Sequence, residues 1–147
     1  MKEILKKILN YKWFSGTSSY EPKIFCIGMN KTGTTSLNLV FSDMGFKVGD
    51  QRTAEKLLRA YTQRNYKPII KYCQSAEVFQ DVPFSLPGTY IYLDQHFPNS
   101  KFILSIRDSD EQWYNSITTF HAKKFGLGAI PSSQQLMEST YVYKGWA

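Results

Sequence analysis

The sequence predicts an α/β fold in which a mostly parallel sheet is covered by helices on both faces. Three observations lead there. Short apolar runs at 23–27, 77–81 and 101–106 alternate with stretches whose apolar residues recur at helical spacing. Turns bearing glycine or proline separate the two kinds of segment. Polar residues able to do chemistry follow the apolar runs directly: a glycine loop from Gly28, an acid at Asp81 and a cation at Arg107. Open parallel sheets bind ligands just beyond the C-terminal ends of their strands, so these three features are expected on one edge of the fold.

The elements follow in order. Lys23 to Ile27 reads as a strand, Gly28 to Gly33 as a loop, and Thr34 onward as a helix carrying Leu37, Val40, Phe41 and Met44. Gly45 suits the left-handed residue that ends such a helix. Phe46 to Val48 reads as a brief second strand. Thr53 is placed to cap a helix holding Ala54, Leu57, Leu58 and Tyr61, and a further helical piece after Pro68 holds Ile69, Ile70 and Tyr72. Glu77 to Asp81 reads as a strand ending on its acid, and Tyr90 to Phe97 as a helix. A turn at Asn99-Ser100 leads into Lys101 to Ile106, the clearest strand pattern in the chain. Arg107-Asp108 closes it, and Ser109 or Asp110 can cap the next helix, with Trp113, Ile117 and Phe120 on one side.

With 147 residues the chain has room for one well-cored domain and not for two. Residues 1–22 read as an amphipathic segment and linker, and 23–147 as the domain. In the first 14 residues Ile4, Leu5, Ile8 and Leu9 share one helical face among several lysines. That face can pack on the domain or make peripheral contact with a membrane surface. The lysines break any signal-peptide core, and no run of about 18 apolar residues is present to span a bilayer. The two cysteines, Cys26 and Cys73, lack the spacing of a metal or redox pair and read as buried thiols. The expectation is a cytoplasmic protein without a metal. The net charge of +6 calls for an anionic partner, yet the cations are dispersed. They form no basic stripe with interleaved aromatics, which argues against nucleic acid.

Gly28-Met-Asn-Lys-Thr-Gly-Thr-Thr-Ser-Leu37 is the first chemical motif. A glycine turn between strand and helix presents unpaired backbone amides at the positive end of the helix dipole, which suits a phosphate. Thr34, Thr35 and Ser36 add hydroxyls, and Lys31 adds a mobile cation. ATP-binding loops place the lysine directly after the second glycine. Here Thr34 stands in that place and Lys31 comes two residues before the glycine. The second motif is Ser105-Ile-Arg-Asp108 followed by Glu111-Gln-Trp-Tyr-Asn-Ser116. An arginine leaving a strand offers a planar fork to a phosphate, and a serine in the following helix adds a neutral donor.

With both motifs in view, the chain resembles the P-loop sulfotransferase superfamily from about Lys23 to Lys124. The resemblance implies a P-loop NTPase-like, three-layer α/β/α domain. It also implies transfer of a sulfuryl group from 3′-phosphoadenosine 5′-phosphosulfate (PAPS) to the hydroxyl of a carbohydrate, lipid or small molecule. Carried over to this chain, Lys31 would contact the transferring group, and Lys31, Thr32, Gly33, Thr34, Thr35 and Ser36 would form the donor loop. Arg107 and Ser116 would hold the 3′-phosphate. Their nine-residue separation is wider than in many better-known members, so Asn115 remains an alternative. Relatives usually continue past Lys144 to Ala147 with a further strand, helices and a nucleotide-covering loop, which implies C-terminal truncation or divergence.

Asp81 is the carboxylate best placed by the strand reading to accept the acceptor proton, although a turn-forming aspartate before Pro83 fits equally well. Glu77, at a strand start, lies away from the ligand edge. His96 and His121 read as packing or surface residues. Trp113, Tyr114, Phe120 and Phe125 read as core, with an acceptor pocket as the other possibility. A nucleoside or small-molecule kinase and a non-catalytic nucleotide-binding remnant are the competing functions.

Overall fold

The computed structural model describes residues 21–138. The amphipathic N-terminal segment and the final residues, on which the membrane and truncation expectations rest, lie outside them.

β1 (Ile24–Cys26), β2 (Val78–Gln80) and β3 (Lys101–Ile103) form a parallel sheet in the order β2-β1-β3. Ile24 pairs with Val78 on one side and Lys101 on the other, and Cys26 with Gln80 and Ile103. Parallel neighbours require crossovers, which the helices supply. Between β1 and β2 come α1 (Thr34–Asp43), α2 (Gln51–Glu55), α3 (Leu58–Thr62) and α4 (Lys67–Tyr72). α5 (Thr89–His96) links β2 to β3, and α6 (Asp110–Phe125) and α7 (Ser133–Glu138) follow.

Because strand side chains alternate between faces, the central strand feeds two cores. Ile24 and Cys26 pack with Phe41 of α1 and Val78, flanked by Leu37, Phe46, Val48 and Ile103. On the other face Phe25 is fully buried among Ala54, Ile69, Cys73, Phe79, Phe84, Leu93 and Phe97, contributed mainly by α2, α4, α5 and the segments beside them. Its ring lies 5.8 Å from Phe79 and 5.5 Å from Phe102, centroid to centroid. Burying one such ring contributes roughly 2–3 kcal/mol, and its removal to alanine would cost about 3–5 kcal/mol because a cavity remains. The result is the expected three-layer arrangement of helices on both faces of a parallel sheet.

Four local expectations need correction. The strand read over 101–106 ends at Ile103. There the Ile27 amide bonds the Ile103 carbonyl, after which β1 turns away into its loop, so the next residues lose their partner. Leu104 and Ile106 are consequently exposed. The strand read over Phe46 to Val48 is reduced to a single parallel bridge between Val48 and Val78. Asp50, not Thr53, caps α2: its carboxylate accepts from the Thr53 amide at 2.8 Å and the Thr53 hydroxyl at 2.6 Å. A short acid one turn earlier takes the cap and puts Thr53 inside the helix. The helix read through Tyr61 is broken into α2 and α3 by a turn at Lys56-Leu57.

Other readings match. Gly45 has φ 87° and ends α1. Ser109 caps α6, its hydroxyl accepting from the Gln112 amide. Cys26 and Cys73 are free and buried, and burial pushes the Cys26 thiol up to about 12. No described helix is long and apolar enough to cross a membrane.

Candidate functional site

α1 opens without a side-chain cap. Gly33 precedes it at φ 99°, a left-handed conformation that glycine adopts without penalty, and the Leu37 amide makes the helical bond to the Gly33 carbonyl. The amides of Thr34, Thr35 and Ser36 are therefore left without a helical acceptor at the positive end of the dipole. Lys31 also holds a positive φ of 65°, so the loop is sharply curled on both sides of Thr32.

The segment after β3 holds this loop in place through three contacts. The hydroxyls of Ser105 and Thr32 are 2.9 Å apart. Arg107 donates from Nε to the Lys31 carbonyl at 2.6 Å. Trp113 donates from its indole nitrogen to the Asn30 carbonyl at 3.1 Å. Gly28 allows the approach: a Cβ there would sit 2.2 Å from Ser105 Oγ and 2.5 Å from the Ser105 carbonyl oxygen. The glycine is needed for proximity, whereas at Gly33 it is needed for backbone conformation. Trp113, which read as core, is instead a donor to the loop.

A cavity of about 480 Å³ opens over the loop. Of the donor-loop residues expected from the sequence, Lys31, Gly33, Thr34 and Thr35 line it, as do Arg107 and Asp81. Thr32, Ser36 and Ser116 are not among its walls. Thr32 is occupied with Ser105, and Ser36 is exposed. Ser116 is half-buried between Trp113 and Phe120, two residues of α6 that both touch the loop, so helical spacing puts it on the loop-facing side. Asn115 is exposed.

Two cations meet here. The Lys31 ammonium lies 4.8 Å from the centre of the Phe120 ring, a favourable cation–π arrangement. Arg107 uses only Nε on the loop; its terminal nitrogens make no hydrogen bond among the described residues. Asp81, at the end of β2, has φ 57° and is largely enclosed. One oxygen accepts from the Thr34 hydroxyl at 3.2 Å and the other from the Val82 amide at 2.8 Å. Burial raises its carboxyl above the ordinary range, against the opposing pull of these two donors and of Lys31. Its carbonyl also accepts from the Ser85 amide, so it serves a turn as well as the cavity. Glu77 binds the Lys47 amide, away from the cavity.

Sequence reasoning passed over His121, which lines the cavity beside Phe120 and Phe125. Helical periodicity shows which residues share a face but not whether that face meets a core or a hollow. Phe120 and Phe125 are likewise cavity walls, while Tyr114 is exposed. Glu55 also lines the cavity and has no sequence signature of its own. Among the described residues, no group of three or more His, Cys, Asp or Glu could hold a metal ion.

The site thus combines helix-start amides without a helical acceptor, two cations and two carboxylates, Asp81 and Glu55, a set able to take an anionic substrate and to handle a proton. No curated protein matches the chain. The family profile described as "Sulfotransferase domain" matches residues 23–140, a span that contains the glycine loop, Asp81, Arg107 and the helix that closes over them. That match covers most of the sequence and includes every element of the sheet, and on this ground the chain belongs to the sulfotransferase domain family.

Proposed function

We propose that the protein transfers a sulfuryl group from PAPS to an acceptor hydroxyl. The observation that carries this reading is the convergence, on one cavity, of the start of α1, which has no side-chain cap, the Lys31 ammonium and the terminal nitrogens of Arg107, which make no hydrogen bond among the described residues. Backbone amides and cations of this kind suit the phosphate groups of the donor. In the proposed arrangement Gly33, Thr34, Thr35 and Ser36 hold the 5′-phosphate through the start of α1, with Thr32 securing the loop against Ser105. Arg107 holds the 3′-phosphate, with Ser116 next to it on α6. Lys31 is a short swing from the Phe120 ring and stabilises the phosphate oxygen that leaves sulfur, where charge develops in the transition state.

Thr34 weighs against the kinase reading. It occupies the position where an ATP loop carries its lysine, and here that side chain is buried and directed onto Asp81. Cavity groups able to accept the acceptor proton include Asp81, the carboxylate expected from the sequence, and His121.

Calorimetric titration with 3′-phosphoadenosine 5′-phosphate (PAP), and separately with ATP and magnesium, tests the reading. PAP should bind and ATP should not compete with it. Tight ATP binding without PAP binding would overturn it.

A further inference from the structure

We propose that His121 accepts the proton of the acceptor hydroxyl during sulfuryl transfer. The proposal rests on the PAPS reading of the same cavity. As the hydroxyl oxygen forms its bond to sulfur, the bond from sulfur to the bridging phosphate oxygen breaks. The electron pair stays on that oxygen beside Lys31, and the hydroxyl proton passes to an imidazole nitrogen. The products are a sulfate ester, PAP and an imidazolium that returns its proton to water.

Geometry carries the argument. His121 is in the cavity wall formed by α6, and its ring nitrogens make no hydrogen bond among the described residues. The ring is held by its neighbours, 5.7 Å from Phe120 and 5.4 Å from Phe125 between centroids. Phe120 is also the ring over which the Lys31 ammonium lies, so the imidazole and the cation assigned to the leaving oxygen both pack against one side chain of the cavity wall. Asp81 is differently placed: each of its oxygens already accepts a hydrogen bond, and its carboxylate anchors Thr34. The charged groups facing the cavity from the other elements are Lys31, Glu55, Asp81 and Arg107, and Lys124 lies one turn along α6. Partial burial lowers the imidazole below its ordinary 6.5. It is therefore mostly neutral at pH 7 and able to take a proton.

The chain has two histidines, which makes the test direct. His96 is exposed, with Nδ1 2.8 Å from the Tyr92 carbonyl, and serves as the internal control. NMR titration of the imidazole protons, assigned with His121→Gln, should show His121 ionising below the ordinary 6.5. Adding PAP brings phosphate charge into the cavity and should raise the His121 midpoint by roughly half a unit or more, while the His96 signals keep their chemical shifts. If PAP binds and His121 does not respond, this proposal fails while the donor site stands. If PAP does not bind, the donor reading fails and takes this one with it.

A kinetic arm separates chemistry from packing. The aromatic wall of Phe120 and Phe125 suits phenols as probes. His121→Gln should lower kcat about 100-fold or more with 2-naphthol, whose proton must be removed. It should change little with 4-nitrophenol at pH 8, where the phenol is already largely ionised. Equal losses with both probes would show a structural role and overturn the assignment.

Discussion

Replacing Gly28 with alanine is the most exacting probe of how the glycine loop is built. The added Cβ would stand 2.2 Å from Ser105 Oγ, 2.5 Å from the Ser105 carbonyl oxygen and 2.9 Å from its amide nitrogen. A rotamer change can clear only the first of these contacts. The other two are backbone, so β1's exit and β3's exit must move apart by several tenths of an ångström. Overpacking of this kind costs about 1–3 kcal/mol, and backbone obstruction on two atoms puts the expectation at the upper end. Separation also stretches the bonds from Ser105, Arg107 and Trp113 to the loop, each contributing about 1 kcal/mol net, so the total loss should reach about 3–5 kcal/mol. Urea unfolding should record that loss, and calorimetry should show PAP affinity at least ~10-fold weaker. Adding Ser105→Gly to Gly28→Ala should restore only part of the stability, because the two backbone contacts persist. Wild-type stability and PAP affinity in Gly28→Ala would refute the claim that close approach at this glycine organises the site.

Four further outcomes are expected. Arg107→Ala should weaken PAP binding by about 3 kcal/mol, or ~100-fold, since it removes both a charged fork and the Nε bond to the loop; calorimetry measures it. Lys31→Ala should abolish turnover in a PAPS assay while shifting the urea midpoint little, because among the described residues its ammonium makes a cation–π contact with Phe120 and no hydrogen bond. For Asp81 the folded carboxyl is raised above the ordinary 3.8, so its contribution is favourable below that value and is lost as pH rises through the folded value. Asp81→Asn should therefore gain stability relative to wild type between pH 3.5 and neutrality, as followed by urea unfolding at the two ends. Ser109→Ala removes the cap of α6 and should cost about 1 kcal/mol in thermal unfolding.

Much of this architecture is legible in the sequence because its signals are local. The β1 run, the glycine loop and the Leu37-Val40-Phe41 spacing of α1 lie within about twenty residues, and turn chemistry marks their borders. Pairing is less legible. Leu104 and Ile106 continue an apolar run, yet β3 stops at Ile103 because its neighbour β1 has already turned into the loop, and no local pattern reports where a partner leaves. The same holds for Phe46 to Val48, which has strand-forming residues but a single bridge. At the site, Lys31 could be singled out because charge within a glycine loop is informative on its own, and Arg107 because it follows an apolar strand run at the expected ligand edge. His121 could not, since facing a hollow and facing a core require the same helical position. Trp113 gave no sign of its hydrogen bond to Asn30, a contact across 83 positions.

The ties from Ser105, Arg107 and Trp113 have a thermodynamic consequence for how substitutions combine. Arg107 grips the Lys31 carbonyl through Nε, so the loop and the arginine are two parts of a single lever. Double-mutant cycles between Arg107 and residues of the loop should be strongly non-additive, whereas pairs more than about 10 Å apart with no shared partner should combine independently. The same linkage means that the loop's backbone freedom, of order 1 kcal/mol per residue, is surrendered when the chain folds. Under the proposed function, a donor would then meet a cradle already in shape, and its binding energy would be free to act on the bond that breaks.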